Sequence, residues 1–438
     1  MKIDPFRRPR GTHDLLGETL NLVQLLEQVA VDVAVGSGYR EIRTPFFEET
    51  RLFKRSLGDS SDVVEKEMFS VVRRGENIDE KLKEGFTFRP EGTASAARAY
   101  IQGGFHANNP IQKWFYVGPM FRYERPQKGR DRQFDQFGVE AFGACAPSLD
   151  VEIINIAIRF FKELGFGDEL EVRINTMGDI EDRQVYSELL RTHFSVQIDK
   201  KQRCGDCLAR FDRNIFRLLD CKSLECVELN KGVPKLISSL GSESAEHHQA
   251  LIELLKELKI NFVEDSSIVR GLDYYTRTVF EIHYPPLGAR SALCGGGRYD
   301  GLIEEMGGKP TPGIGFSVGF SPTLLAMSEI GLPDNSRLDE FKECQNPDVY
   351  IVAVSQEQMV FAFQLCEELR DSGFKTVFDH RGRSLKAQLK EANRMKARWA
   401  IIVGEEETSQ GVFLVKDMSQ KQEFKLRAKE VFDFLKEQ

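Results

Sequence analysis

VGPMFRYERPQKGRDRQFDQFGVE, residues 117–140, reads as a strand, an exposed loop rich in Arg, Lys and Gly, and a returning strand. Strand-like runs of the same kind stand at 86–88, 113–117, 134–142, 170–174, 278–284 and 313–320, with helical segments between several of them. Strands that follow one another without strict β-α alternation predict an α+β fold with an antiparallel sheet flanked by helices. Upstream, Leu22, Leu25, Leu26, Val29 and Val33 recur at helical spacing and Gly36 and Gly38 act as stop signals, so a helix is predicted over about 18–36. Tyr39 to Phe47 reads as a strand broken at Pro45, which an edge or a bulge tolerates.

Past residue 330 the pattern changes. Residues 331–347 are polar, hold two prolines and read as a linker. Strands at 348–354, 375–380 and 399–404 then alternate with a helix ending near Gly373 and another over 384–397. That alternation predicts a small α/β domain over 348–438 with a mostly parallel sheet.

Composition limits the function classes. In 438 residues, 41% hydrophobic and 29% charged content is ordinary for a globular chain of two or three domains. No apolar run approaches the roughly 20 residues of a membrane span, and MKIDPFRRPRGTHDLL carries no secretory h-region, so the cytoplasm is the expected compartment. The net charge of −8 excludes a uniformly basic nucleic-acid coat but not a local cationic site.

Such a site is visible. Arg122, Arg125, Lys128, Arg130 and Arg132 outnumber Glu124 and Asp131 in the loop, a surplus suited to polyphosphate or a nucleic-acid end, though a solvated charged hairpin has the same composition. Phe134 offers a flat face to a purine. RGLDYYTRTVFE, residues 270–281, sets a cation, two phenols and a carboxylate together, as a pocket for a small zwitterion beside a phosphate requires. The glycines 295–297 do not form a G-x-G-x-x-G loop, and Gly308-Lys309 precedes Pro310, not Ser or Thr, so there is no P-loop. Those three glycines are expected to let backbone approach a ligand. Cys204, Cys207, Cys221 and Cys226 are paired in spacing and suit either a tetrahedral Zn²⁺ site or four ordinary thiols.

Several runs carry a resemblance. FRYERPQKGRDRQF resembles motif 2 of the histidyl branch of the class II aminoacyl-tRNA synthetases, and RGLDYYTRTVFE and CGGGRYDGL (294–302) resemble its histidine signatures. FRPEGTASAARAY (88–100) is similar to the amino-acid-binding loop, and 42–69 to motif 1, which in that family forms the dimer interface. The resemblance implies a class II catalytic domain at 1–330 with a helical insertion at about 178–262, and an anticodon-binding domain at 348–438. It implies a homodimer that takes L-histidine, ATP with Mg²⁺ and tRNA(His), forms histidyl-adenylate and charges the tRNA.

By the same resemblance, Arg122 and Arg270 are catalytic and face the α-phosphate. Glu91, Gly92, Thr93, Gln136, Glu140, Tyr274, Tyr275 and Tyr299 hold histidine. Glu124, Arg130 and Phe134 join Arg122 in binding ATP, and Arg125, Gln127 and Arg132 meet the tRNA. Any zinc on the four cysteines is expected to be structural and far from the chemistry. One departure stands out: Ser321-Pro322 occupies the place of the family's Glu-Arg in motif 3, whose arginine binds the ATP tail. A divergent active enzyme that uses another cation and a synthetase-like protein with impaired activation both fit. The latter would act as a tRNA-binding sensor or as a regulatory subunit of histidine biosynthesis.

Overall fold

The computed structural model describes residues 6–58, 61, 63–71, 85–221, 223–269, 274–330 and 346–437. The chain divides into two compact units, Met1–Asn335 and Ser336–Gln438. Of the expected linker only the last two residues are described.

In the first unit the strands are β1 (Arg40–Glu41), β2 (Phe47–Glu49), β3 (Ser70–Val71), β4 (Phe86–Phe88), β5 (Gln112–Phe121), β6 (Gln133–Phe142), β7 (Glu171–Thr176), β8 (Phe262–Glu264), β9 (Thr276–His283), β10 (Ala292–Arg298) and β11 (Gly313–Gly319). Eight of them form one sheet in the order β1-β5-β6-β11-β10-β9-β7-β8, antiparallel except at its two ends, where β1 runs parallel to β5 and β8 to β7. The remaining three form a small antiparallel sheet, β2-β4-β3. Pro45 lies where the chain leaves the large sheet for the small one, the position at which a missing N–H costs no ladder bond.

Alternation along β6 separates the two faces of the large sheet. Phe137 and Val139 point to the helical side, where the Phe137 ring lies 5.2 Å from Phe160 on helix Pro147–Glu163. Helix Gly17–Gly36 packs on the same side and buries Val23, Leu25, Leu26, Val29 and Val33, the predicted stripe. Phe134, Gln136 and Glu140 share the opposite face, which is lined by the site. A strand lay unseen in the glycine run. β10 is Gly-rich because its neighbours press on it: a Cβ at Gly296 would lie 2.5 Å from the Gly315 carbonyl oxygen and 2.7 Å from the Phe280 ring. A Cβ at Gly297 would lie 2.6 Å from the Thr278 carbonyl oxygen. The space left by these glycines is thus taken by the sheet's own atoms rather than by a ligand.

A buried ion pair fixes the helical side. Asp150 and Arg298 have no solvent exposure, and the Arg298 guanidinium donates to Asp150 at 2.6 and 2.8 Å. Asp150 also accepts from Thr278 Oγ1 at 2.6 Å and pairs with His247 Nε2 at 2.8 Å. His247 belongs to helix Ser242–Glu257, which packs on Pro147–Glu163. The last helix of the expected insertion is therefore built into the helical layer of the large sheet, and helices Ile180–Asp199, Gly205–Arg213 and Leu224–Leu229 form the part with its own core.

The second unit has strands β12 (Val349–Ala353), β13 (Thr376–Phe378), β14 (Trp399–Val403), β15 (Val412–Asp417) and β16 (Glu423–Arg427) in the order β13-β12-β14-β15-β16. Only β12 is parallel to both its neighbours; β14-β15 and β15-β16 are antiparallel. The mostly parallel expectation holds for half of this sheet, because the chain after Val403 returns by a short helix, Glu405–Gln410, and then a hairpin.

The Asp150–Arg298 pair yields a stability prediction. Arg298→Met should destabilise the first unit by about 3–5 kcal/mol, since it strands a buried carboxylate. Breaking the exposed Lys231–Glu228 pair should cost no more than about 0.5 kcal/mol. Urea unfolding of both variants is the measurement, and equal losses would refute the assignment.

Candidate active site

Residues from seven parts of the first unit meet in a cavity of about 440 Å³. Its closed end is acidic. Glu140 is fully buried and accepts from Thr93 Oγ1 at 2.7 Å, from Tyr116 OH at 3.2 Å and from Tyr299 OH. Glu91, also buried, accepts from the backbone N–H groups of Thr93 and Ala94 at 2.7 and 2.8 Å. Burial pushes both carboxyls up, Glu140 to about 8, with hydroxyl donors opposing the rise at Glu140 and backbone N–H groups opposing it at Glu91. Burial and then the Glu140 carboxylate drive the Tyr299 phenol well above its ordinary value.

Local sequence explains this packing. Phe134, Gln136 and Glu140 are two or four residues apart on β6 and so share one face. The residue between Gln136 and Glu140 on that face is Gly138, where a Cβ would stand 2.1 Å from the Tyr116 ring. Gly92 is constrained in the same way, with its Cβ position 2.2 Å from that ring. The two glycines form the slot that lets Tyr116 reach Glu140. Tyr274 and Tyr275 close the wall, their ring centroids 4.6 Å apart and Tyr274 5.7 Å from Tyr299. Gln136 brings a buried Oε1 with no hydrogen-bond partner, an acceptor waiting for a donor.

The mouth is cationic. Arg122 donates Nε–H to the Pro90 carbonyl at 2.8 Å and lies 5.5 Å from the Phe134 ring centroid. Arg130 pairs with Glu124 at 3.3 Å. Arg125, Gln127 and Lys128 are exposed on the loop, whereas Arg132 is held by the carbonyls of Glu124 and Arg10 and stacks 3.9 Å from the Tyr123 ring centroid. Arg270 lies outside the described residues. The cavity therefore joins eleven of the expected site residues: Glu91, Thr93, Arg122, Glu124, Arg130, Phe134, Gln136, Tyr274, Tyr275, Tyr299 and, through its hydrogen bonds, Glu140.

The motif 3 departure has a local structure. Ser321 Oγ donates to Asp131 Oδ2 at 2.8 Å, and Pro322 forms cavity wall beside Gly129. Pro322 stands in the first turn of helix Phe320–Ile330, where its missing N–H removes no helical bond. Sequence reasoning missed Tyr116, Asp131 and, above all, Arg217. Arg217 sits on the turn Ile215–Leu218 of the insertion, yet it lines the same cavity as Arg122, Arg130 and Pro322. The insertion thus reaches the cavity wall. No short-range pattern marks Arg217, because a turn inside an insertion has no periodicity that says which wall it reaches.

Comparison with known proteins agrees with this geometry. A family model described as histidyl-tRNA synthetase matches residues 11–322, and one described as an anticodon binding domain matches 348–438. The chain is 44% identical over 414 residues to the histidine–tRNA ligase of Fervidobacterium nodosum, covering 94% of each. It is 45% identical over 404 residues to that of Moorella thermoacetica, covering 92% of each. Among solved structures, apo Staphylococcus aureus histidyl-tRNA synthetase superposes with a TM-score of 0.80 at 32% identity, over 99% of this chain and 100% of that one. A Bacillus halodurans protein titled ATP phosphoribosyltransferase regulatory subunit/histidyl-tRNA synthetase shares the fold, with a TM-score of 0.60 at 21% identity over 92% of this chain and 99% of that one. With a family match over residues 11–322 and relatives of this identity along nearly its full length, the chain belongs to the histidyl-tRNA synthetase family.

Proposed function

We propose that the chain is a histidine–tRNA ligase, an enzyme that activates L-histidine with ATP and charges tRNA(His). The carrying observation is the polarity of one cavity, acidic and hydrogen-bonding at its closed end, cationic and aromatic at its mouth. That gradient suits a zwitterion whose ammonium and imidazole go inward and whose carboxylate faces a nucleoside triphosphate. The regulatory-subunit and sensor readings are not favoured, since neither calls for the full set of groups at both ends.

In this reading Glu91 and Thr93 take the α-ammonium, with Gly92 leaving room for Tyr116. Gln136, Glu140, Tyr274, Tyr275 and Tyr299 take the imidazole, whose two ring nitrogens need partners that an apolar pocket lacks. ATP enters as its Mg²⁺ complex, its adenine on Phe134 and its amino group toward Glu124. A carboxylate oxygen of histidine attacks the α-phosphorus, and the bond to the pyrophosphate oxygen breaks. Arg122 and Arg270 stabilise the charge that grows on the non-bridging oxygens. A terminal ribose hydroxyl of the tRNA then attacks the histidyl carbonyl carbon and AMP leaves, with Arg125, Gln127 and the Arg132-braced loop meeting the acceptor end. Residues 1–330 serve as the catalytic domain and 348–438 as the anticodon-binding domain.

Arg130 and Arg217 hold the outer phosphates, so the cation lost at Pro322 is supplied from the insertion. Two copies of the chain are expected to assemble through the motif 1 region, where Phe46 and Phe47 are 52% and 51% exposed and β1 is a sheet edge. No helix among the described residues is long and apolar enough to cross a membrane, and the cytoplasmic setting is part of this reading.

Histidine-dependent ATP–pyrophosphate exchange by the purified chain tests the function; background exchange alongside normal tRNA binding would replace it with the sensor reading. Arg217→Ala should raise the KM for ATP about ten- to hundredfold, the worth of one charge-assisted hydrogen bond, and leave the KM for histidine within about twofold. An unchanged KM for ATP would remove Arg217 from phosphate binding. Sedimentation should show a dimer at micromolar concentration, and a stable monomer would contradict the interface.

Glu140→Gln should raise the KM for histidine about ten- to hundredfold while keeping the fold. Its pH signature follows from the raised pKa. The folded chain holds a proton that the unfolded chain releases above the ordinary 4.5. The stability from this group is full below that value and is lost as pH climbs through about 8. The variant lacks this loss, so its melting temperature relative to the parent should increase between about pH 5 and pH 9. Parallel melting profiles would show that Glu140 titrates normally.

A further inference from the structure

Four sulfur atoms converge inside the insertion. The Sγ atoms of Cys204, Cys207, Cys221 and Cys226 all lie within 4.8 Å of one another, and Cys204 is 3.6 Å from Cys221. A disulfide needs about 2.05 Å, so these are not bridged thiols. Four sulfurs about 2.3 Å from one tetrahedral ion stand about 3.8 Å apart, close to the 3.6 Å of the Cys204–Cys221 pair and inside the 4.8 Å that bounds all four. A multinuclear cluster would require them farther apart.

Each segment is shaped to bring its sulfur in. Cys204 immediately precedes helix Gly205–Arg213 and Cys207 lies in its first turn, so three residues of separation set them on one face. Cys221 follows the turn Ile215–Leu218, and Cys226 is the third residue of helix Leu224–Leu229. The Cys204 backbone N–H donates to Cys226 Sγ at 3.3 Å, the contact that steadies a thiolate ligand. Asn230, at the end of the second helix, donates to the carbonyls of Leu218 and Leu219 at 2.9 and 3.2 Å and accepts from Arg203 at 2.9 Å.

Ordinary buried cysteines pack as small hydrophobes at scattered points. Here three of the nine buried residues of the insertion core are cysteines turned toward one spot. So small a core needs a staple.

We propose that Cys204, Cys207, Cys221 and Cys226 bind one Zn²⁺ as four thiolates, and that this ion fastens the turn that carries Arg217 to the cavity. The turn is shared property: Phe216 and Leu219 pack against both the insertion core and the core that contains Tyr274, Tyr275 and Tyr299. With Cys221 ligated, the exit of the turn is anchored to both neighbouring helices. The metal site stands independently of the reading of the catalytic cavity, because its test is metal content.

The full-length chain, grown with added zinc and purified without chelator, should carry close to one zinc per chain by elemental analysis. Cobalt exchanged for zinc should give the sulfur-to-metal charge-transfer and strong visible absorption of a tetrahedral tetrathiolate. Cys226→Ser should lose most of both, and Cys145→Ser, at an exposed cysteine elsewhere, should lose neither. Removing zinc should speed hydrogen exchange over 204–226 more than over β5 and β6. Protein without bound zinc and without cobalt absorption would overturn the proposal even if every variant folds poorly. So would metal retained in full by a folded Cys226→Ser variant, or a different metal bound in zinc's place.

Discussion

A carboxyl group with no access to water stands in the middle of an eight-stranded sheet, and much of the first unit is arranged to satisfy it. Glu140 is paired with Gly315 on one neighbouring strand and Trp114 on the other, so no solvent route reaches it through the ladder. It needs donors, and three hydroxyls from separate segments supply them: Thr93 at a helix start, Tyr116 on β5 and Tyr299 just beyond β10. Each donor makes its own demand. Tyr116 requires glycines at 92 and 138, Tyr299 requires no Cβ at Gly313, and Glu140 itself requires none at Gly315, where one would lie 2.0 Å from Oε2. A buried carboxyl left unpaired would be worse than an apolar residue at that point. The glycines at 92, 138, 313 and 315, one at a helix start and three on β6 and β11, are therefore a consequence of one polar group.

The sheet carries opposite charge logic on its two faces. On the helical side Asp150 is neutralised in place by Arg298, with Thr278 and His247 completing its bonds, so that pair is closed and structural. On the cavity side Glu91 and Glu140 are held by backbone and hydroxyl donors instead of a direct ion pair, and the charge of Arg122 acts on Glu91 more weakly than those bonds do. Arg298 and Tyr299 are adjacent in sequence and serve these two faces in turn. Anchoring the guanidinium behind the sheet sets the phenol in front of it, which links the stability of the fold to the geometry of the site.

How much of this was legible in the sequence depends on the range of the pattern. The helix over residues 17–36, the long pair β5-β6 and the break at Pro45 were readable because periodicity and proline act over a few residues. β10 was not, because LCGGGR has neither alternation nor β-branched residues, and its strand state is imposed by β9 and β11 on either side. The antiparallel end of the second sheet was missed for the opposite reason: VFLVKD and EFKLR alternate well, but their pairing depends on a hairpin read only after the alternating β-α pattern has stopped. The core of the candidate site was legible through resemblance, since its residues lie in long runs. Tyr116 and Arg217 were not, because their relevance comes from packing across 24 residues to Glu140 in one case and from the path of an insertion in the other.

The place of Ser321-Pro322 shows why a local departure has to be judged against its surroundings. Ser321 caps Asp131, which also meets His13 at 2.9 Å, so the lip of the cavity has an acidic residue bound by a hydroxyl and an imidazole. Restoring a Glu-Arg pair there would set a second carboxylate against Asp131, and the repulsion would offset what the new guanidinium gained. Arg217, on a turn that packs against the insertion core, lines the same cavity as Arg122 and Arg130. One wall of the cavity thus has Ser321 and Pro322 where the family has a charged pair, and another has an arginine carried by the segment that holds the four thiols, so the charge at the cavity depends on the insertion as well as on the sheet.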